Sequence, residues 1–229
     1  RTGARVALCA TAGFGDLLEL RRQDRAALYD LAAHHPAPLV PHELVVEVAE
    51  RIAPEGVLQA LDARGARDVA DRVAALEPEA VAVALLHAYA DPVHERLLGE
   101  ALAERMPGVD IVLSSDALPE IREYERASTT VAEAYLRPRV RRYLERLVAR
   151  LAERGYPAPG VMTSGGGMRT AGEASHSAAA LALSGPAGGV VGAALVARAA
   201  GFAAALGVDL GGTSAAVGLV PAGGPPAEP

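Results

Sequence analysis

Residues Leu206-Gly-Val-Asp-Leu-Gly-Gly-Thr-Ser-Ala-Ala-Val-Gly-Leu-Val220 set an acid, a glycine pair and two hydroxyls between apolar runs. That pattern suits phosphate binding. Gly211 and Gly212 let backbone N–H groups approach anionic oxygens and tolerate positive φ. Thr213 and Ser214 add hydroxyl donors. Asp209 is placed to hold Mg²⁺ or one of its waters, because that ion keeps several waters and takes few carboxylates. The same residues also fit a plain hairpin closed by a Gly-Gly turn.

His87 is the second candidate. It closes an apolar run and is followed by Tyr89 and Asp91. Ligands of open α/β sheets gather at the carboxyl ends of strands, which suits His87 to acid–base or substrate work. The plainer reading is a histidine that anchors the strand-to-helix turn. His94 is expected on a helix surface, and a His87/His94 metal pair lacks a third ligand. Thr163-Ser-Gly-Gly-Gly-Met168 reads as an anion nest or a flexible turn. Ser164 lacks the G-x-S-x-G context of a hydrolase nucleophile. His34, His35 and His42 lie in a Pro-rich loop without an acid cluster. Glu120, Glu123 and Glu125 read as ion-pair partners of Arg122 and Arg126. Cys9, in Val6-Ala-Leu-Cys-Ala10, reads as a core residue and excludes an intrachain disulfide.

These residues need elements to position them. Apolar runs predict strands at about 4–10, 43–48, 80–87, 109–114, 160–163, 205–210 and 215–220. Helices are expected from Asp16 to about Ala33, over 57–75, and from Asp91-Pro92 to near Gly108. A long helical region over 119–155 should break or kink at Pro138. The strand, helix and strand across 80–114 form a βαβ unit with a parallel pair. Ser184 to Gly201 reads as a helix of small residues. Gly188 and Gly189 disfavour that helix, so they make sense if another backbone or a nucleotide lies against them.

Composition narrows the chemistry. Half of the 229 residues are apolar, aromatics are few and Trp is absent, so Ala, Val and Leu must carry the core. All 22 basic residues are Arg, which removes P-loop and Schiff-base lysines. A net charge of −6 argues against nucleic-acid binding. The apolar stretch from Ala187 to Leu206 carries glycines and Arg198, which favours a buried helix over a membrane span. The chain opens Arg-Thr-Gly-Ala-Arg with neither initiator Met nor signal peptide, and we expect a cytoplasmic fragment.

A small-residue helix running into D-x-G-G-T resembles the lobe junction of the actin, sugar-kinase and heat-shock-chaperone ATPases. Other segments narrow the likeness. They are Thr11-Ala-Gly-Phe-Gly-Asp-Leu-Leu-Glu-Leu-Arg-Arg-Gln23 and Leu85-Leu-His-Ala-Tyr-Ala-Asp-Pro-Val-His-Glu95. Ser114-Ser-Asp-Ala-Leu-Pro-Glu-Ile-Arg-Glu-Tyr-Glu-Arg-Ala-Ser-Thr-Thr130 and Leu183-Ser-Gly-Pro-Ala-Gly-Gly189 follow. In this order, over nearly the whole chain, they resemble the hydantoinase A/5-oxoprolinase family, which includes acetone and acetophenone carboxylase subunits. Two positions depart from the family pattern: Ala216 replaces an acid, and Gly165 replaces an amide.

The resemblance implies an α/β, ribonuclease-H-like lobe of an actin-like ATPase, with a sheet containing parallel strands. It implies residues 1–118 as the remainder of the N-terminal domain and 119–229 as the start of the hydantoinase A domain. The implied activity is ATP-dependent opening of a cyclic amide, a hydantoin or 5-oxoproline, after phosphorylation of the amide oxygen. ATP and Mg²⁺ are the implied cofactors, and a hydantoinase B-type subunit is the implied partner. Asp209 would hold the metal. Gly211, Gly212, Thr213 and Ser214 would contact phosphate, and Gly188 and Gly189 would allow close lobe approach. An acetone-type carboxylase subunit and a non-catalytic subunit binding partners through 119–155 are the alternatives.

Overall fold

The computed structural model describes residues 3–30, 32–212 and 215–221. The chain divides into two compact units, Arg1–Arg139 and Val140–Pro229.

The first unit contains β1 (Val6–Thr11), α1 (Leu17–Leu20), β2 (Val45–Val48), β3 (Arg51–Ala53) and β4 (Gly56–Gln59). It continues with α2 (Ala63–Ala74), β5 (Ala80–Ala84), α3 (Val93–Arg105), β6 (Asp110–Leu113) and α4 (Ser114–Ala117). Helix α5 (Glu123–Glu153) runs on into the second unit. Strands β1, β2, β5 and β6 form a parallel sheet in the order β2-β1-β5-β6. The apolar runs of β1 and β5 are buried throughout, as strands of a parallel sheet covered on both faces must be. Ala7, Cys9, Val81 and Val83 point to the side holding Val69 and Val73 of α2 and Leu98 and Leu102 of α3. Leu8, Ala80 and Ala82 point to the other side, against Ala127, Val131 and Ala134 of α5. The expected β5–α3–β6 unit is present with its strands parallel.

Two helix expectations are corrected, and of the break or kink expected at Pro138 the break does not occur. Helix α1 stops at Leu20 instead of reaching Ala33, because Arg21 and Gln23 take left-handed φ values of 54° and 58°. The stretch 57–75 is divided: β4 pairs antiparallel with β3, and α2 starts only after Asp62, whose carboxylate caps the Gly65 amide at 2.7 Å. Helix α5 continues through Pro138. Proline cannot donate to the carbonyl four residues back, and its ring crowds that turn. The carbonyl that loses its helical donor is that of Ala134; the next one, of Tyr135, accepts the Ala4 amide at 2.9 Å just before β1.

The second unit contains β7 (Gly160–Met162), β8 (Met168–Thr170), α6 (Ala171–Ser175), α7 (Ser184–Ala199), β9 (Ala205–Leu210) and β10 (Ala215–Val220). Its sheets are two antiparallel pairs, β7 with β8 and β9 with β10. Among the described residues no helix is long and apolar enough to cross a membrane.

Candidate functional site

Strands β9 and β10 form the hairpin expected over 206–220. Leu210 pairs with Ala215 and Asp209 with Ala216. Thr213 and Ser214 lie outside the described residues. Gly212 does not take a positive φ, and among the described residues other than its chain neighbours no atom lies within 4 Å of where its Cβ would stand. What it offers is open access to backbone. Gly211, next to it, is exposed.

Helix α7 lies close to the hairpin because the facing residues have no side chains. A Cβ on Gly218 would overlap Val190 Cγ2, and one on Gly207 would stand 3.1 Å from Ala193 Cβ. Gly188 and Gly189 divide their roles. A Cβ on Gly188 would meet Met162 Cγ at 3.5 Å, whereas one on Gly189 would stand 3.9 Å from Asp209 Cβ. The result is a cleft of about 330 Å³ lined by Ser164, Gly189, Asp209 and Ala216 among others. Three segments far apart in sequence thus meet at one cavity. The loop before β8 is a turn: the Ser164 amide donates to the Ala180 carbonyl at 2.7 Å, and the Gly166 amide to the Thr163 carbonyl at 3.1 Å. With those two amides engaged inside the protein, the loop presents Ser164 to the cleft.

Asp209 is exposed and is the one acid among the described residues that line the cleft. No group of three or more His, Cys, Asp or Glu side chains suited to a metal occurs among the described residues. One carboxylate facing open volume fits Mg²⁺, which keeps its waters, and does not fit Zn²⁺, which needs at least three protein ligands. Glycine walls leave room for phosphate oxygens.

In the first unit, His87 follows β5 at the carboxyl end of the parallel sheet, half-buried, with φ at +57°. Its ring centroid is 6.0 Å from that of Tyr89. Beneath it lies a buried polar network that the sequence reading missed. His94 is 4% exposed, not on the surface, and its Nδ1 is 2.7 Å from Glu50 Oε2. The Thr11 hydroxyl donates to Glu50 Oε1 and accepts the Leu86 amide at 3.0 Å. Glu95 accepts the Leu85 amide at 2.9 Å, the Ser114 hydroxyl at 2.6 Å and the Ser115 amide at 2.9 Å. Burial holds the Glu95 carboxyl above its ordinary range, and these hydrogen bonds oppose that shift. Arg126, read as a simple ion-pair partner, is fully buried and joins Glu123 to Ser114. The one local signal was His94-Glu95 in the first turn of a helix starting just past the sheet's carboxyl edge.

The comparisons agree along the chain. The family model "Hydantoinase/oxoprolinase N-terminal region" matches residues 1–106, and "Hydantoinase/oxoprolinase" matches residues 126–228. The chain is 34% identical over 213 residues to 5-oxoprolinase 1 of Arabidopsis thaliana, covering 84% of this chain and 16% of that protein. It is 33% identical over 219 residues to caprolactamase subunit alpha of Pseudomonas jessenii, covering 93% and 31% respectively. A nucleotide-free structure of acetone carboxylase matches with a TM-score of 0.84 at 29% identity, over 97% of this chain and 33% of that one. The chain therefore spans about a third or less of the length of these relatives. With models matching both halves and an actin-like ATPase α/β fold shared with acetone carboxylase, this chain belongs to the hydantoinase/oxoprolinase family.

Proposed function

We propose that the protein carrying this chain uses ATP with Mg²⁺ to open a cyclic amide of the hydantoin or 5-oxoproline type. The observation that carries this reading is the convergence of Ser164, Gly189 and Asp209 on one glycine-walled cleft. Asp209 would hold the metal directly or through one of the ion's waters. Gly211, Gly212, Thr213 and Ser214 cradle phosphate, and Gly189 keeps the facing wall free of side chain. An amide is a poor electrophile, and moving a phosphoryl group to its oxygen makes the carbon open to water. One water is consumed in breaking the ring C–N bond and one in converting ATP to ADP and phosphate. His87 gives or takes the proton as water adds. The supporting relatives are named 5-oxoprolinase and caprolactamase. A partner of the hydantoinase B type fits the name of the second, a subunit alpha.

Likeness to acetone carboxylase favours a second reading, a carboxylase subunit in which the same phosphoryl transfer activates an enolate. The test is ATP consumption by the whole protein with hydantoins, 5-oxoproline or acetone plus bicarbonate. Cyclic amides should drive ADP formation, and Asp209→Asn should reduce it by about 100-fold or more. ADP formation driven by acetone plus bicarbonate and not by the cyclic amides, or untouched by Asp209→Asn, overturns the proposal.

A further inference from the structure

Groups from several elements grip the exit of β5. The Leu85 amide donates to Glu95 Oε1 at 2.9 Å, and the Leu85 carbonyl accepts Arg126 Nη2 at 2.7 Å. The next amide, of Leu86, donates to Thr11 Oγ1 at 3.0 Å. His87 then turns into the left-handed region, and its carbonyl accepts the amides of Ala90 at 2.9 Å and Asp91 at 3.1 Å. A residue with a Cβ resists that conformation, and it persists where the surroundings over-determine it. Here the Leu85–Leu86 peptide, one residue before His87, is held at both its carbonyl and its amide, and the His87 carbonyl closes the following turn.

We propose that Arg126 is a positioning residue for His87. The inference rests on reading His87 as the acid–base group. Arg126 itself has no donor left for a ligand. Its Nε donates to Ser114 Oγ, and Nη1 to the Glu120 carbonyl and Glu123 Oε1. Nη2 donates to the Leu85 carbonyl and Glu123 Oε2. All five N–H groups of a 1% exposed guanidinium are thereby engaged. Arg126 therefore acts through its neighbours, and two routes lead to His87. One is the Leu85 carbonyl, two residues before it. The other is the Tyr89 ring, two residues after it, which lies under the guanidinium at 5.5 Å and against the imidazole at 6.0 Å. A lysine keeps the charge but has three donors on a single nitrogen in place of a rigid five-donor fork, so it cannot hold Ser114, Glu123 and the Leu85 carbonyl in the same geometry.

The test is NMR of the 229-residue chain, reading the His87 imidazole resonances and the backbone couplings that report the sign of φ at residue 87. Arg126→Lys should move the imidazole resonances and reduce the positive-φ signature, with the resonances of β9 and β10 unchanged. Glu123→Gln keeps the guanidinium and the Tyr89 ring but replaces the carboxylate that holds Nη1 and Nη2. It should move the imidazole resonances in the same direction as Arg126→Lys but less far, and it decides the matter if Arg126→Lys does not fold. Wild-type His87 signals in a folded Arg126→Lys, or in Glu123→Gln where Arg126→Lys does not fold, overturn the proposal. Kinetics of the whole protein separate it from the reading it rests on. His87→Gln should lower kcat by about 100-fold or more. Arg126→Lys should lower kcat by about tenfold, leave KM for ATP within about twofold, and add little on top of His87→Gln. An unchanged kcat in His87→Gln removes the acid–base reading alone, since the NMR result judges the positioning by itself.

Discussion

His94 Nδ1 lies 2.7 Å from Glu50 Oε2, and its Nε2 accepts the Leu61 amide at 3.2 Å. An amide N–H only donates, so Nε2 carries the lone pair and Nδ1 carries the proton given to Glu50. With the Thr11 hydroxyl on the other oxygen, both sides of this buried carboxylate are filled. His94→Leu would leave Glu50 Oε2 and the Leu61 amide unpartnered inside the protein. The expected loss is about 2–6 kcal/mol, the desolvation left uncompensated at one buried acceptor and one buried donor. Urea denaturation measures it, and a loss below about 1 kcal/mol would show that solvent reaches the site.

Cys9 sits in the middle of β1 with no exposed surface, and burial pushes its thiol up to about 12. At pH 8 the native protein therefore holds almost no thiolate. Iodoacetamide labelling should be negligible in buffer and rise with the urea unfolding transition. Labelling of the native protein at the rate of an unfolded peptide would contradict the buried placement.

Glu95 sets a pH dependence. Its folded-state carboxyl is raised above the ordinary 4.5 by burial, so the folded state holds the proton more tightly than the unfolded chain. The associated stability is complete below the ordinary carboxyl range and is lost as pH rises through the raised value. Glu95→Gln cannot titrate. It also turns an NH₂ group toward donors that Glu95 accepts, which costs about 1–3 kcal/mol. The gap between wild type and Glu95→Gln should be widest at low pH and narrow as pH rises. A gap that widens with pH in urea titrations would refute this.

The contact of α7 with the hairpin predicts a non-additive pair. Gly218→Ala should cost about 1–3 kcal/mol, because the new methyl overlaps Val190 and a branched side chain has little room to yield. In a Val190→Ala background the same change should cost at least about 0.5 kcal/mol less. Strict additivity in a double-mutant cycle would place the two residues out of contact.

Ala216 stands directly across from Asp209 in the hairpin. Ala216→Asp puts like charges on opposite strands and should lower stability by about 0.2–1 kcal/mol without metal. Millimolar Mg²⁺ should then raise the Tm of Ala216→Asp more than that of wild type, since a second carboxylate strengthens a hard-cation site. Equal Mg²⁺ responses would mean that these two positions do not share a cation.

The hairpin, the small-residue helix and the strands of the parallel sheet were legible in the sequence because each is specified locally. An apolar run without alternation reads as a doubly covered strand, and two apolar runs flanking Gly211-Gly212 read as a hairpin. Short-range cues also put Asp209 and Ser164 beside turns. Their meeting in one cleft was decided by packing, through Gly207 and Gly218, whose lack of side chains matters only once α7 lies on them. The polar network lay further out of reach. Thr11, Glu50, His94, Ser114 and Arg126 become neighbours only because the parallel strand order brings the ends of β1, β5 and β6 together. Spacing could not announce that, so His94 passed for a surface residue and Arg126 for a simple ion-pair partner. The continuity of α5 past Pro138 was not legible either, because the chain shows the missing donor and not that the helix carries on past it.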